Sequence, residues 1–193
     1  MKILVRKNSH ISNACMMRSF NKLVFCFVIM EFIFLSRTRD VRKNLKKLER
    51  ELGIKIKIVG KRVEFDGKPV SEFEARSVFE AVDFGFSVRK ALLLKLEDFI
   101  FKVVHIKSHT KRSLKSVRAR LIGTKGKTRK AMSEISGCEI LIKEGEVGII
   151  GEGEHAEDVE KAVIHLIEGA KQGNMYMFLE RMNRERKSEI EFE

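Results

Sequence analysis

Apolar and polar positions follow two clear periods in the first half of the chain. Residues 39–52 place an apolar residue every three or four positions and basic residues over much of the remaining surface, which predicts an amphipathic helix that ends at Gly53. Residues 54–58 alternate strictly and predict a strand, and a second strand is predicted over residues 63–65 after a short turn. A further helix is expected to begin at Ser71, whose hydroxyl can cap it.

An apolar run over residues 23–35 precedes these elements. It is shorter than the roughly 20 apolar residues that a membrane-spanning helix needs, and Glu31 lies within it. Basic residues before such a run are also typical of a signal peptide, but no small-x-small cleavage site follows Leu35. We therefore expect a buried strand within residues 23–35, preceded by an irregular extension.

The second half of the chain repeats this order of elements. Its predicted elements are a strand over residues 113–118, a short helix over 119–122, a helix over 127–136, strands over 138–143 and 146–150, and a last helix over 156–169. A helix predicted over residues 86–105 connects the two halves. Gly53 and Gly137 hold equivalent places, so the repeat length is roughly 84 residues. The hydrophobic stretch over residues 98–104 is expected to be buried where the two halves pack together.

Gly123 and Gly126 enclose two residues immediately before the helix predicted over residues 127–136. Glycine tolerates unusual backbone angles and has no side chain, so a ligand can approach the main chain closely at such a turn. The N-terminus of the following helix offers unpaired N–H groups and partial positive charge, to which Lys125 and Lys127 add full charges. The turn is therefore suited to a phosphodiester backbone.

Composition and charge indicate a polyanionic partner. The chain has 193 residues, enough for one or two small domains, and carries a net charge of +12 with an isoelectric point near 9.7. Residues 107–130 contain ten lysines and arginines and no acid, and this basic segment includes the Gly-x-x-Gly turn. Tryptophan is absent and tyrosine occurs once, so stacking of bases on aromatic side chains is not expected to dominate.

With its flanks, the turn resembles the KH domain of RNA-binding proteins. The matching residues are Ile122-Gly123-x-x-Gly126, followed by Ile135-Ser136-Gly137-Cys138-Glu139-Ile140. Residues 85–94 and 166–181 extend the resemblance to the archaeal relatives of the Pno/Dim/Krr-type ribosome-assembly proteins, over about residues 40–187.

This resemblance implies both a fold and a function. A KH domain holds about four nucleotides of single-stranded RNA on its Gly-x-x-Gly loop. Members of the family carry two KH units and act on small-subunit ribosomal RNA near its 3′ end. Archaeal members are also expected to contact the alpha subunit of initiation factor two.

The first half departs from the KH pattern because no Gly-x-x-Gly occurs before residue 53. Ser36-Arg37-Thr38-Arg39 is expected to occupy its place, with side chains that impede close approach of a nucleic-acid backbone. We therefore predict an α+β protein of two KH-like units (type I, βααββα) packed together, the first of them degenerate, plus a C-terminal helix. The predicted divisions are an irregular extension over residues 1–27, the degenerate unit over 28–85, a connecting helix over 86–106, the KH domain over 107–170, and the C-terminal helix and tail over 171–193.

The predicted RNA-binding residues surround the turn. Gly123 and Gly126 shape it, Thr124 and Lys125 project from it towards phosphate, and the basic residues after it neutralise the RNA backbone. Isoleucines are expected to form an apolar floor for the bases, although Ile135 is assigned to the core. The full set is Arg120, Ile122, Gly123, Thr124, Lys125, Gly126, Lys127, Thr128, Arg129, Lys130, Ile140 and Ile142.

Other chemistries fit the sequence less well. Gly126-Lys127-Thr128 also ends a nucleotide-binding Walker A loop, but that loop needs glycine where Leu121 stands. Gly148-x-x-Gly151-x-Gly153 is followed by acids and is predicted to be a turn and a helix start. Three scattered cysteines predict reduced thiols, without a disulfide framework or zinc site. We expect no enzyme activity, no metal and no cofactor.

Non-catalytic binding of single-stranded RNA, most simply small-subunit ribosomal RNA during assembly in the cytoplasm, is the predicted function. One alternative is a scaffold whose first unit and final helix dock a translation initiation factor, with the alpha subunit of initiation factor two as the partner. Another is a basic membrane-surface protein that uses residues 23–35, although no membrane partner is expected. Residues 1–35 are either genuine or the product of a wrong start or a frameshift, and the sequence leaves these two readings open.

Overall fold

The structure is a computed structural model that describes residues 31–190. The first half contains strand β1 (Glu31–Phe34), helices α1 (Thr38–Lys43) and α2 (Leu45–Leu52), strands β2 (Lys55–Val59) and β3 (Arg62–Asp66), and helix α3 (Pro69–Phe84). The second half contains helix α4 (Val88–Ala91), a 3-10 turn (Leu92–Lys95), strand β4 (Phe99–His105), helices α5 (Ile106–His109) and α6 (Leu114–Ile122), a 3-10 turn (Thr124–Gly126), helix α7 (Lys127–Ser136), strands β5 (Glu139–Ile142) and β6 (Glu146–Glu152), and helices α8 (Gly153–Glu168) and α9 (Gln172–Ile190).

Each half builds a three-stranded antiparallel sheet with the same connectivity. The strand orders are β1-β3-β2 and β4-β6-β5, so in both halves the last strand lies in the centre. Two helices follow the first strand and one helix follows the last, apart from the single turn of α5 and the additional helix α9 in the second half. This is the βααββα order that the sequence predicts for two KH-like units.

In the first unit the helices end and begin close to the predicted positions. The helix predicted over residues 39–52 is two helices, α1 and α2, interrupted at Asn44, and α2 ends at Gly53, which takes a left-handed φ of 64°. Helix α3 begins at Pro69 and not at Ser71, because proline, whose φ is fixed and which lacks an N–H, suits the first position of a helix.

In the second unit, two predictions are wrong. The helix predicted over residues 86–105, and with it the connecting helix over 86–106, ends by Lys95 and is followed by strand β4. The strand predicted over residues 113–118 is the first part of α6, whose N-cap Ser113 accepts a hydrogen bond from the backbone N–H of Ser116 at 3.3 Å. The second unit therefore begins at β4 and not at residue 107.

Strand β4 is apolar on both faces because each face packs against a different core. Phe101 and Val103 pack against the core of the first unit, whereas Ile100 and Val104 belong to the core of the second. A strand buried on both faces has a nearly continuous apolar sequence, which cannot be told from a buried helix by periodicity alone.

The two units meet through the outer face of the second sheet. Phe84 and Phe86, at the end of α3, form edge contacts with the ring of Phe101, with centroids 5.8 and 6.0 Å apart. Gly148 lies in β6 beneath them, and a Cβ atom there would stand 2.5 Å from the Phe84 ring. Gly148 and Gly151 therefore lie within a strand, which corrects the turn predicted for them. The packing of the two units against each other is as predicted.

The outer face of the first sheet carries exposed aromatic side chains. Phe32 and Phe34 are 45% and 68% exposed, and Val59 on the far edge of the same sheet is 54% exposed. The guanidinium of Arg62 lies 4.2 Å from the centroid of the Phe32 ring. Among residues 31–190, no helix is both long enough and apolar enough to cross a membrane. Residues 23–30 of the predicted apolar run lie outside the described residues.

Candidate nucleic-acid interface

The Gly-x-x-Gly turn joins α6 to α7 through three residues with positive φ. Gly123 has φ 73° and ψ 175°, Lys125 has φ 53°, and Gly126 has φ 78°. Lys125 is the one non-glycine residue with positive φ among residues 31–190. The turn delivers the chain directly into the N-terminus of α7, where the first N–H groups lack partners within the helix.

The two glycines face different surroundings. A Cβ atom at Gly123 would overlap the side chain of Thr128, whereas a Cβ atom at Gly126 would have nothing within 4 Å. The main chain at Gly126 is therefore open to an approaching ligand, while the main chain at Gly123 is packed against the first turn of α7.

Thr128 has a structural role in this arrangement. It is 3% exposed, and its Oγ1 accepts a hydrogen bond of 3.0 Å from Nε2 of Gln172. The same Gln172 nitrogen donates to the carbonyl of Arg120 at 3.1 Å, so the start of α9 links both ends of the turn. Thr128 is therefore not available to an external phosphate, which corrects its assignment as an RNA contact.

Arg120 is likewise occupied by the protein. Its guanidinium donates to the carbonyl of Gly169 at 3.1 Å and also to that of Ala170, so it ties α6 to the connection between α8 and α9. It is a partly buried bracing residue in this structure and does not point freely towards solvent. Its Nη2 makes both of these contacts, and its role in binding RNA stays a prediction.

The basic side chains after the turn are exposed. Thr124, Lys125 and Lys127 lie at the surface, and the Lys130 ammonium is 3.4 Å from Glu134 in an exposed pair one turn further along α7. Such an exposed ion pair contributes little to stability, and the lysine can still contact a phosphate group. Arg129 is partly buried and points across to β5, where its Nη1 lies 3.4 Å from the carbonyl oxygen of Ile140.

The predicted apolar floor is only partly available. Ile140 is 2% exposed and belongs to the second core, because its side chain points from β5 towards the helices; its assignment to the floor is corrected. Ile122 and Ile142 are partly exposed, as a floor requires. Ile135 packs against the second core, in agreement with its assignment there.

The first unit has no equivalent turn. Asn44 alone separates α1 from α2, with φ −113°, and its N–H donates back into α1 to the carbonyls of Asp40 and Val41. Ser36-Arg37-Thr38-Arg39 lies between β1 and the first turn of α1, so it does not hold the place predicted for it. The short junction lacks a left-handed residue at which a phosphate could approach the backbone.

A second basic feature lies where the two units meet. A cavity with a volume of about 680 Å³ is bounded by the first unit and by three segments of the second, and its lining includes Arg37, Lys107, Leu114, Arg118, Lys143 and Glu146. Burial lowers the pKa of the Lys143 ammonium, and the neighbouring guanidinium of Arg37 lowers it further. Sequence reasoning did not select Arg37 or Lys143 for this place, because their proximity depends on packing between distant segments.

Metal and thiol chemistry are not indicated within residues 31–190. No cluster of three or more histidine, cysteine or acidic side chains that could hold a metal ion occurs there. Cys138 is free and buried, and burial raises the pKa of its thiol. Cys15 and Cys26 lie outside the described residues.

Comparison with known sequences agrees with this architecture. Residues 100–184 match the model for the second KH domain of PNO1, described as a eukaryotic-type KH domain of KH-domain type I. A KH domain-containing protein of Methanocaldococcus jannaschii is 30% identical over 152 residues, which are 72% of this chain and 65% of that protein. The pre-rRNA-processing protein PNO1 of Candida albicans is 28% identical over 135 residues, which are 67% of this chain and 49% of that protein.

The match thus spans between about half and two thirds of the length of these relatives. Among solved structures, Dim2p from Pyrococcus horikoshii superposes with a TM-score of 0.71 at 27% identity, over 78% of this chain and 98% of that one. A chain of the a/eIF2alpha–aDim2p–rRNA complex from the same organism gives a TM-score of 0.71 at 25% identity, over 80% of this chain and 94% of that one. Residues 100–184 thus match a KH domain, and the chain as a whole is similar to KH-domain proteins related to PNO1 and Dim2.

Proposed function

We propose that the second unit binds single-stranded RNA, without catalysing a reaction, through the Gly-x-x-Gly turn and the groove beside it. The observation that carries this proposal is the open backbone at Gly126, which adjoins the N-terminus of α7 and is flanked by the exposed side chains of Lys125 and Lys127. A phosphodiester backbone can approach such a surface closely and accept hydrogen bonds from its N–H groups.

The groove supports single-stranded RNA in preference to a duplex. Ile122 on α6 and Ile142 on β5 offer partly exposed apolar surface for unstacked bases. Unpaired bases can reach such a floor, whereas bases within a duplex are stacked and paired. The net charge of +12 adds a general attraction that depends on salt concentration.

The names of similar proteins support ribosomal RNA as the target. The Candida albicans relative is a pre-rRNA-processing protein, and the structural neighbour was solved in a complex that contains rRNA. We therefore propose that the strand bound by this chain is small-subunit ribosomal RNA near its 3′ end, during ribosome assembly in the cytoplasm.

A fluorescence-anisotropy titration tests the proposal. The ligand is a single-stranded oligonucleotide from the 3′ end of small-subunit ribosomal RNA, compared with an unrelated strand of the same length. The proteins are the wild type, the variant Thr124→Asp/Lys125→Asp, and a control, Lys68→Asp/Ser71→Asp, that changes the net charge equally at the start of α3. Circular dichroism and thermal unfolding establish that each variant remains folded.

Selective binding that is lost in the variant at the turn and kept in the control supports the proposal. Equal affinity of all three proteins for both strands would contradict it, because the basic surface would then attract RNA without the turn. The dependence on salt adds a second check: three to five phosphate contacts predict a log–log slope of roughly −2 to −3.5 for a single strand.

Docking of a translation initiation factor is a second candidate function, compatible with the first. It is favoured by the exposed face of the first sheet, with Phe32, Phe34 and Val59, and by the solved complex that contains a/eIF2alpha. The variant Phe32→Ser/Phe34→Ser should lose binding to the alpha subunit of initiation factor two while keeping its affinity for RNA. Undiminished binding in a calorimetric titration would rule out this face as the docking site.

A further inference from the structure

One face of α9 carries the side chains that dock it on the second unit. Gln172, Met175, Leu179, Asn183 and Arg186 follow one another at intervals of three or four residues, so they lie on the same side of the helix. Met175 and Leu179 are buried in the second core, whereas the three polar residues of this face form hydrogen bonds with α6, α7 and α8. Hydrogen bonds are directional, so these contacts fix the position of α9 along its neighbours.

Gln172 completes the end of α6. The helix ends at Ile122, so the carbonyl of Arg120 is among the last four, which lack donors within the helix. Nε2 of Gln172 donates to that carbonyl at 3.1 Å and to Oγ1 of Thr128 at 3.0 Å. A carboxamide nitrogen carries two hydrogens, so one side chain satisfies both acceptors. Gln172 thereby joins the last turn of α6 to the first turn of α7, across the Gly-x-x-Gly turn.

Thr128 connects this contact to the glycines. Its side chain lies against Gly123, where a Cβ atom would overlap Oγ1. The carbonyl of Gly123 in turn accepts a hydrogen bond of 3.2 Å from the N–H of Gly126. The position of Gly123, and with it the closure of the turn at Gly126, therefore depends on a side chain that α9 supplies.

Asn183 makes the equivalent contact at the other end of α7. Its Nδ2 donates to the carbonyl of Ile135, one of the last carbonyls of α7, and its Oδ1 accepts a hydrogen bond of 2.8 Å from Nη2 of Arg186. The spacing between Gln172 and Asn183 corresponds to about three helical turns, or roughly 16 Å. Helix α7, with 10 residues, is about 15 Å long. The two carboxamides thus hold α7 at both of its ends.

The first unit caps the corresponding helix end locally. Asn44 stands at its junction between α1 and α2, and Nδ2 of that residue donates to the carbonyl of Asp40 at 2.9 Å. In the second unit Gly123 follows α6 and has no side chain, so the carboxamide that completes the helix end comes from Gln172. Helix α9 therefore supplies a contact that a glycine turn cannot make for itself.

We propose that Gln172 is a positioning residue for RNA binding, through which the docking of α9 keeps the Gly-x-x-Gly turn in its RNA-binding conformation. This rests on the proposed function of the second unit. Gln172 acts through Arg120 and Thr128 and not by touching the RNA. Glycines have more backbone freedom to lose than other residues, so a turn built on two of them needs such support. When only a fraction of the molecules holds the binding conformation, the affinity falls in proportion to that fraction.

Stopped-flow fluorescence with the labelled 3′-terminal ribosomal RNA oligonucleotide tests the inference. The proteins are the full chain, Gln172→Met, and the matched control Asn183→Leu. Each variant nearly keeps the shape of the original side chain and removes two hydrogen bonds of α9. Gln172→Met should bind about tenfold more weakly, through slower association at an unchanged dissociation rate, because fewer molecules are ready to bind. Asn183→Leu should bind as the wild type does, although thermal unfolding should show it to be destabilised at least as much.

Two further measurements separate positioning from general stability. Gln172→Asn keeps the carboxamide but is one methylene group too short to reach both acceptors, so its affinity should lie between those of Gln172→Met and the wild type. Relaxation-dispersion NMR without RNA should show exchange at the amides from Gly123 to Gly126 in Gln172→Met, and none in the wild type or in Asn183→Leu.

Equal RNA affinities of Gln172→Met and Asn183→Leu would overturn the inference. A loss in Gln172→Met that comes only from faster dissociation would also overturn it, because that result indicates a lost contact with the RNA. The variant Thr124→Asp/Lys125→Asp reports on the proposed function separately. If that variant binds as the wild type does, the proposed function fails. If it loses binding while Gln172→Met binds normally, the inference alone fails.

Discussion

At the level of single residues, the two glycines of the turn are required for different reasons. Gly123 combines φ 73° with ψ 175°, a region that is accessible essentially to glycine alone, and it also packs against Thr128. Gly126 has φ 78° and ψ 11°, a left-handed conformation that other residues adopt at a moderate cost, and its surroundings are open. Gly123 is therefore needed for the fold of the turn, and Gly126 mainly for access.

Alanine at these two positions should separate stability from binding. Gly123→Ala is expected to lower the free energy of unfolding by about 2–4 kcal/mol, from backbone strain and the overlap with Thr128. Gly126→Ala is expected to cost only about 1–2 kcal/mol, from its left-handed angle, yet to weaken RNA binding. Urea denaturation and anisotropy titrations measure the two effects. Equal losses of stability would contradict the distinction between the two glycines.

At the level of elements, α9 is an integral part of the second unit. Met175 and Leu179 are each 2% exposed against the second core, and Asn183 donates to the carbonyl of Ile135 at the end of α7. Arg186 donates from Nη1 to Oδ2 of Asp158 on α8 at 2.5 Å. Since Gln172 at its start also contacts the residues around the turn, α9 supports the geometry of the site.

The ion pair between Asp158 on α8 and Arg186 on α9 allows a test of whether α9 stabilises the second unit. Its side chains are only 10% and 17% exposed, so removing one partner leaves a poorly hydrated charge. Arg186→Met or Asp158→Asn alone should lower the free energy of unfolding by about 3 kcal/mol, and the double variant should lose less than the sum. Denaturation of the three variants completes the cycle. Strict additivity would show that the two side chains are not coupled.

At the level of the whole molecule, the two units use their sheets differently. The outer face of the second sheet is covered by Phe84 and Phe86 of the first unit, whereas the equivalent face of the first sheet exposes Phe32 and Phe34. Gly148 makes the close approach between the units possible. The cavity beside Arg37 also lies where the two units meet.

Alanine at Gly148 should disturb the seam. A Cβ atom would stand 2.5 Å from Phe84 and 2.9 Å from Phe86, and we expect a loss of about 1–3 kcal/mol in the free energy of unfolding. Gly145→Ala in the adjacent hairpin is the control, because a Cβ atom there meets nothing within 4 Å, and a change within about 0.5 kcal/mol is expected. Thermal unfolding compares the two. If Gly148→Ala is as stable as the control, the two units do not pack as closely at Gly148 as we describe.

Local signals predicted much of this fold. Helix α7 has the bounds predicted for it, Lys127–Ser136, because a glycine stands at each end. A helix was predicted for strand β4 because both of its faces are buried. Burial of the outer face depends on packing against the first unit. A strand was predicted for the first part of α6 because the helical spacing of its apolar residues Leu114, Val117 and Leu121 is visible only when the whole helix is considered. The interruption at Asn44 leaves the periodicity of Leu45 and Leu48 intact, so the sequence pattern does not show it.

The candidate site was less predictable than the fold. The sequence of the turn is enough to predict that Thr124, Lys125 and Lys127 lie at the surface. Arg120 and Thr128 carry side chains suited to phosphate, but both form hydrogen bonds with α9 or the residues just before it. Contacts between segments almost 50 residues apart decide such roles, and composition and spacing do not contain them.

Amide chemical-shift mapping of the full chain with a four-nucleotide single-stranded RNA tests the central claim most directly. We predict that the largest shifts fall on the amides from Gly123 to Lys130 and on those of β5 near Ile142, with small changes in α1 and α2 despite their many basic residues. Shifts concentrated on α1 and α2, with the amides of the turn unmoved, would contradict the account, since RNA would then bind to charge in the first unit and not to the Gly-x-x-Gly turn.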